Sequence, residues 1–185
     1  KKKMFTHIKT SKENKEVVTP DAIIYRRNIK RNLFKLLNPI FWKLVYRVFR
    51  DLSPEGLRFP ALIKESVKAI LIHEVAEKHA SKVVAFYHSH SNFQMVPLKS
   101  YWGDKRAVTL TIFGEAYGQP ALISKYKTLL GRMFDISSEI FASSDHCAKS
   151  FERIGIQRKV KTIYLGVDLS EKDYHGLGQK FREEK

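Results

Sequence analysis

The sequence predicts an α/β fold with a parallel sheet flanked by helices, and three observations support that prediction. Short β-prone runs alternate along the chain with stretches whose apolar residues recur at helical spacing. Such alternation favours parallel strands, because parallel strands are joined through helices. The 185 residues, 43% of them hydrophobic, suffice for one domain with its own core. The predicted strands cover residues 22–25, 83–87, 108–113, 139–142 and 160–165, and the predicted helices cover 60–78, 123–134 and 145–154.

The longest predicted helix, 60–78, has a start signal and a repeating apolar pattern. Pro60 suits a first helical turn, where its missing N–H removes no hydrogen bond. The apolar residues at helical spacing are Leu62, Val67, Ile70, Leu71, Val75 and Ala76. Helices of this kind pack on the faces of a parallel sheet, so ligand-binding residues are expected in the loops beyond the carboxyl ends of the strands.

Composition limits the partners and the cellular location. Lys and Arg number 34 against 19 Asp and Glu, giving a formal net charge of +15. Such an excess attracts nucleic acid, an acidic membrane surface or a phosphorylated ligand. The single cysteine, Cys147, excludes an intrachain disulfide and fits a reducing compartment. With no signal sequence or membrane-spanning run visible, we expect a cytoplasmic location, with peripheral attachment to the inner face of a membrane as an open alternative.

The positive charge is concentrated between residues 26 and 50, where eight basic residues occur and no acidic one. An Asn-Pro pair beginning at Asn38 predicts the start of a helix over 38–50. On a helical wheel, a narrow basic wedge lies beside a broad apolar face. The wedge contains Lys43, Arg47 and Arg50, with Trp42 near the edge of the apolar face. This pattern is typical of a helix that lies in a membrane interface, with anionic lipids against the wedge.

Two other interpretations of this basic segment stay open. Its apolar face can pack on the sheet and leave the basic residues in water. Nucleic acid is a further candidate, but the sequence contains no zinc-ligand spacing, no aromatic RNA-binding strand motif and no convincing helix-turn-helix. Nucleic acid is therefore the less favoured partner.

Residues with useful chemistry follow the predicted strands at their carboxyl ends. They are His88 and His90 after 83–87, Gly114 and Glu115 after 108–113, Ser144 after 139–142, and Gly166 and Asp168 after 160–165. We expect the side chains of His88 and His90 to point to opposite sides of the sheet if the strand continues through both. His-x-His can bind zinc, but no third ligand has suitable spacing, so no metal site is predicted.

Part of the chain resembles a known family. Residues 132–170, RMFDISSEIFASSDHCAKSFERIGIQRKVKTIYLGVDLS, resemble the end of the N-terminal domain of GT-B glycosyltransferases of the subfamily 4-like group. In that group a Ser precedes a helix, a Gly-containing turn follows, and the next strand ends in a Gly-Val-Asp loop. Ser144, Gly155 and the run Gly166-Val167-Asp168 match those places. The segment TLTIFGEAY resembles the family's strand with a short His-Gly-like signature, and the whole resemblance covers about half of the chain, residues 82–169.

The resemblance implies one half of a GT-B architecture, in which two Rossmann-like domains face each other across a cleft. The C-terminal domain binds a nucleotide-sugar, and the N-terminal domain shapes the site of a sugar or lipid-linked acceptor. It also implies sugar transfer without a metal or other cofactor. Positive charge and helix N-termini suit the stabilisation of a departing diphosphate.

Three departures from the family's pattern limit this inference. The first strand and its glycine-rich turn are not found, Phe113 stands where the family often has His, and no donor domain is present. We therefore expect residues 1–169 to form the Rossmann-like N-terminal domain and 170–185 to be a linker toward a C-terminal domain. The chain alone is expected to be inactive.

Structural interpretations of the same residues stay open. His88 and His90 can be packing histidines, and Glu115 can either orient an acceptor hydroxyl or favour a turn. Ser144 is predicted to cap the helix that follows it, with Asp145 as a competitor for that role. Cys147 is predicted to be a small buried residue, and Asp168 to shape a loop.

Two functional alternatives accompany the glycosyltransferase hypothesis. One is a basic module that binds nucleic acid or a membrane on a Rossmann-like scaffold. The other is half of a sugar-nucleotide epimerase with the same two-domain architecture. The sequence leaves the donor sugar, the acceptor and the oligomeric state open.

Overall fold

The computed structural model describes residues 5–10, 14–18, 22–114, 118–153 and 155–163. Seven strands lie within these residues: β1 (Phe5–Thr10), β2 (Lys15–Val18), β3 (Ala22–Arg27), β4 (Val83–Tyr87), β5 (Ala107–Ile112), β6 (Glu139–Ala142) and β7 (Lys161–Thr162). The helices are α1 (Trp42–Leu52), α2 (Phe59–Lys78), α3 (Met95–Trp102), α4 (Pro120–Lys125), α5 (Lys127–Ile136) and α6 (Asp145–Arg153). Short 3₁₀ helices at Lys30–Leu37 and Pro39–Phe41 precede α1.

The main sheet confirms the predicted α/β class with a Rossmann-like parallel sheet flanked by helices. Its four strands are all parallel and lie in the order β4-β5-β6-β7. The described strands thus follow chain order without the reversal that is typical of a complete doubly wound sheet. Because crossovers between parallel strands are right-handed, this order places α3, α5 and α6 on the same face of the sheet.

The first three strands form a second sheet in the order β1-β3-β2, with β1 parallel and β2 antiparallel to β3. The sequence predicted only 22–25 in this region. This small sheet contacts α2 through Tyr25, which is 1% exposed. The hydroxyl of Tyr25 and Nε2 of His79 share a hydrogen bond of 2.9 Å, and the two rings meet edge to face. The small sheet therefore lies against the carboxyl end of α2.

The core lies between the covered face of the parallel sheet and the helices. Every second residue of β5, from Val108 through Leu110 to Ile112, is completely buried, as expected for alternating strand faces. Helix α1 packs against α2 and α3, and α5 packs against α3 and β5. Phe134 of α5 and Phe151 of α6 are buried with ring centroids 5.1 Å apart, which supports their common position on one face.

The predicted helices form with altered boundaries. Asn38 accepts a hydrogen bond from the Ile40 N–H at 3.1 Å and begins the helical segment that continues into α1. Pro60 occupies the first turn of α2, as predicted. The predicted helix 123–134 is divided at Tyr126 into α4 and α5. Helix α3 was not predicted, because Pro97 lies within it, in the first turn where a missing N–H is tolerated.

None of the described helices combines the length and apolarity needed to cross a bilayer.

Candidate functional site

Three residues singled out from the sequence meet at the carboxyl edge of the parallel sheet. In the strand register, Tyr87 of β4 is opposite Thr111 of β5, and Ile112 is opposite Ala142 of β6. His88, Gly114 and Ser144 each follow one of these strand ends by one or two residues. The structure therefore brings those three together along one edge. Glu115, Gly166 and Asp168 lie outside the described residues.

The backbone of His88 is unusual. Its φ of 65° is rare for a residue with a side chain and is often found where function requires a special local geometry. The His88 N–H donates to the carbonyl of Thr111 at 2.9 Å, so the strained residue is held against β5. Its exposed ring lies 4.5 Å from the Phe113 ring, centroid to centroid. The imidazole of His88 therefore lies at the end of β5, next to Phe113, the residue that follows the strand.

His90 lies close to His88 rather than on the opposite side of the sheet. The strand ends at Tyr87, and a 3₁₀ turn over Ser89–Ser91 brings the two imidazole centroids to 6.0 Å in an edge-to-face arrangement. The expectation of opposite directions was wrong, because residues two positions apart share a face even on a continuous strand, and β4 ends before both histidines. Nδ1 of His90 is buried and has no hydrogen-bond partner within the described part of the chain.

A buried ion pair on α2 anchors the loop that carries the histidines. Nζ of Lys68 lies 2.8 Å from Oε1 of Glu65, and these side chains are only 13% and 8% exposed. The same ammonium donates to the Ser91 carbonyl at 2.9 Å, while Oε2 of Glu65 accepts the Gln94 N–H at 3.3 Å. Because each charged group also contacts the loop, the pair ties the loop to α2.

Asn92 fixes the loop from within. Its Nδ2 donates to the carbonyl of Tyr87 and, at 2.9 Å, to the carbonyl of His88. Its Oδ1 accepts a hydrogen bond of 2.9 Å from Nε2 of Gln94, which is 1% exposed. Sequence reasoning missed this network. The signal that was present is Glu65 and Lys68, three residues apart among apolar positions of a predicted helix.

Ser144 caps α6 at the same edge. Its Oγ accepts the Cys147 N–H at 3.2 Å, which is the hydrogen bond of an N-cap side chain. Cys147 is 9% exposed, in agreement with its prediction as a small buried residue. The amino end of α6 therefore reaches the edge, where its partial positive charge favours a negatively charged group.

Gly114 leaves open space beside His88. Among the described residues, and apart from the glycine's chain neighbours, no atom lies within 4 Å of the place that a β-carbon would occupy at Gly114. Neither packing nor a left-handed backbone therefore requires glycine here.

The predicted basic wedge is divided between two environments. Nη1 of Arg47 donates to the backbone and side-chain oxygens of Ser100 on α3 at 2.6 and 2.7 Å. Nε of Arg50 donates to Oδ1 of Asp51 at 2.7 Å, and this bond raises the pKa of Arg50. Lys43 and Trp42 are exposed. Arg50 also donates through Nη2 to Oγ of Ser100 at 3.1 Å, so α3 holds part of the predicted wedge and Lys43 projects into solvent.

The apolar part of this helix is divided as well. Leu44, Val48 and Leu52 are at most 1% exposed and belong to the core, whereas Tyr46 is 66% exposed. Helix α1 therefore has one side in the core and another side exposed.

Two surface hollows lie apart from the histidine edge. One is lined by Glu152, Gln157, Arg158 and Lys159. The other lies between α1, α3 and α5 and is lined by Arg50, Asp51, Val96, Lys99, Ser100, Arg132, Asp135 and Ile136.

Within the described residues, no three His, Cys, Asp or Glu side chains are grouped as metal ligands would be.

The comparisons with known proteins add no family to this description. No protein-family model matches the sequence. No curated protein matches it significantly.

Proposed function

We propose that this chain is the acceptor-side domain of a glycosyltransferase, which transfers a sugar from a nucleotide-sugar to an acceptor. The observation that carries the proposal is the meeting of His88, Gly114 and Ser144 at the carboxyl edge of three adjacent parallel strands. This edge is where ligands bind in open α/β sheets. The sequence resemblance assigns the donor nucleotide to a facing C-terminal domain.

His88 supplies the basic group in this proposal. A sugar acceptor attacks through a hydroxyl group, whose proton must be accepted as the new glycosidic bond forms. Phe113 cannot accept a proton, but the His88 ring lies 4.5 Å from the Phe113 ring and is exposed. The imidazole of His88 therefore compensates for the departure at Phe113. The anchored loop fixes the backbone from which the imidazole projects.

The other two groups shape the space around the acceptor. Gly114 leaves room for the sugar ring at the end of β5. The amino end of α6, capped by Ser144, attracts negative charge on the departing diphosphate across the cleft.

The test uses the protein encoded by the complete gene that contains this chain. It is incubated with UDP- and GDP-sugars and a panel of sugar and lipid-linked acceptors, and nucleoside diphosphate release is measured. Release that depends on an acceptor supports the proposal. Interconversion of the nucleotide-sugars without an acceptor would identify the epimerase alternative. Absence of both reactions from a folded protein would contradict the proposal.

A further inference from the structure

Exposed apolar side chains are concentrated in one segment of the chain. Among the described residues, eleven large hydrophobic side chains are exposed, and seven of them lie between residues 33 and 59. We call this region, together with its exposed cations, the apolar–basic surface. Its members are Leu33, Phe34, Leu37, Ile40, Trp42, Tyr46 and Phe59, with Lys30, Arg31 and Lys43. The exposed fraction reaches 78% at Leu37 and 71% at Ile40.

The opposite side of the same segment is firmly attached to the domain. Asn32, 5% exposed, donates through Nδ2 to Oδ1 of Asn14, just before β2, at 2.9 Å. Nζ of Lys35 lies 2.6 Å from Oε1 of Glu74 on α2. Further along, α1 contributes buried aliphatic residues to the core. These contacts determine which side chains point away from the protein, so the exposed apolar side chains are a property of the folded domain.

The exposed charges of this surface are positive. Between residues 22 and 58 the only acidic residues are Asp51 and Glu55, whose side chains are 8% and 13% exposed. Arg132 donates to Oε1 of Glu55 at 3.1 Å, and Arg50 pairs with Asp51. The acids are thus turned inward and neutralised, which leaves Lys30, Arg31 and Lys43 as exposed cations beside the apolar residues.

We propose that the apolar–basic surface binds the interface of a membrane that contains anionic lipids. Trp, Tyr and Phe suit the headgroup region, and aliphatic side chains such as Leu37 and Ile40 gain by entering the acyl boundary. The cations complement the phosphates of anionic lipids. Nucleic acid would satisfy the cations and the aromatic rings but leave the aliphatic side chains in water. Lipid, unlike nucleic acid, accounts for all three kinds of residue.

This inference does not depend on the proposed function, because it concerns a different surface and is tested without catalysis. Flotation of the chain is measured with vesicles of three parts phosphatidylcholine to one part phosphatidylglycerol, and with phosphatidylcholine alone. Removal of three cations by Lys30→Gln, Arg31→Gln and Lys43→Gln is expected to weaken binding to the anionic vesicles about 100-fold. The matched control, Lys15→Gln, Lys82→Gln and Lys105→Gln, removes three exposed lysines elsewhere and is expected to bind like the wild type.

Tryptophan fluorescence locates the contact. Trp42 is 59% exposed and Trp102 is 3% exposed, so a blue shift on binding anionic vesicles reports Trp42. Trp42→Phe is expected to bind while losing the shift. Leu37→Ser with Ile40→Ser is expected to abolish binding, whereas Val18→Ser with Ile163→Ser, exposed apolar residues outside this surface, is not.

Three results would overturn the proposal. One is equal vesicle binding by the wild type and by the Leu37→Ser, Ile40→Ser variant. Another is preference for a single-stranded oligonucleotide over anionic vesicles, with a steep salt dependence. The third is a dimer in solution that dissociates when Leu37 and Ile40 are replaced, since a second copy would then be the partner.

Discussion

The carboxyl edge of the parallel sheet and the apolar–basic surface differ in which side chains they bury. Behind the edge, charged groups are buried: Glu65 and Lys68 form an ion pair that also binds the loop carrying His88. At the apolar–basic surface, side chains such as Leu37 and Ile40 are exposed instead. Buried polar bonds fix a few atoms in place, which suits a reacting group. Exposed apolar area is stabilised only when a partner covers it, which suits docking.

Breaking the ion pair tests the first half of this comparison and should have the largest effect on stability. Lys68→Ala leaves the Glu65 carboxylate buried without its partner, so the free energy of unfolding should fall by about 3–5 kcal/mol. Chemical denaturation measures this change. Lys64→Ala, on the exposed side of the same helix, is the matched control and should change stability by less than about 0.5 kcal/mol. Equal effects of the two variants would show that the pair does not anchor the loop.

A smaller loss of stability is expected at acidic pH, where His73 on α2 becomes protonated. Burial lowers the pKa of His73, and Arg106 lowers it further, against the opposing effect of Glu77. Trp102 Nε1–H donates to Nδ1 of His73 at 3.1 Å, a bond that requires this nitrogen to be unprotonated. The more distant Glu77 carboxylate, 3.7 Å from the same nitrogen, does not overcome burial.

The sign of the pH effect follows from the lowered pKa. The stabilising contribution is complete above the ordinary histidine value of 6.5 and is lost as pH falls through the lower, folded value. Thermal unfolding should therefore show lower stability at about pH 5 than at about pH 7.5. His73→Asn retains an acceptor for Trp102 but cannot titrate in this range, so it should reduce the difference. An unchanged pH dependence in this variant would assign the effect to other groups.

A substitution at Gly114 distinguishes a structural role of this residue from a role in binding the acceptor. Because no atom of the other described residues lies within 4 Å of the missing β-carbon, Gly114→Ala should leave the fold intact and stabilise it by about 0.4–1 kcal/mol. The added methyl group should instead raise the KM for the acceptor. Loss of thermal stability without a change in KM would show that the space serves the fold.

The apolar–basic surface should give the smallest effect on stability. Leu37→Ser with Ile40→Ser removes side chains that are already exposed, so the free energy of unfolding should change by less than about 0.5 kcal/mol per residue. Chemical denaturation in the absence of lipid measures this. A large loss would mean that the two side chains support the fold rather than a partner.

The sequence predicted those parts of the structure that depend on local chain chemistry. Strands 83–87 and 139–142 have the predicted ends, and Asn38 and Ser144 act as predicted caps, because periodicity and capping are local properties. The sequence could not predict the ion pair's bonds to the loop or the attachment of Arg47 to Ser100. Those contacts join residues more than twenty positions apart, and only the tertiary fold brings them together.

The predicted directions of the His88 and His90 side chains were wrong for a different reason. The expected opposite directions misapplied the strand period, because residues two positions apart on a strand lie on the same face. Strand geometry does not apply here in any case, since β4 ends immediately before His88. The positive φ at His88 and the following 3₁₀ turn then bring His90 toward it. A run of Ser, His and Asn after an apolar strand is a turn signal, and it marks where strand periodicity stops applying.

The most direct test of the central claim is the turnover of a His88→Asn variant in the protein from the complete gene. Asn tolerates positive φ, so this change retains the loop but removes the imidazole that accepts the acceptor's proton. We expect kcat to fall by about 10²–10⁴, while the thermal unfolding temperature and the KM for the nucleotide-sugar stay near those of the wild type. A folded variant whose kcat stays within about twofold of the wild type would show that His88 is not the general base, since a general base contributes far more than that.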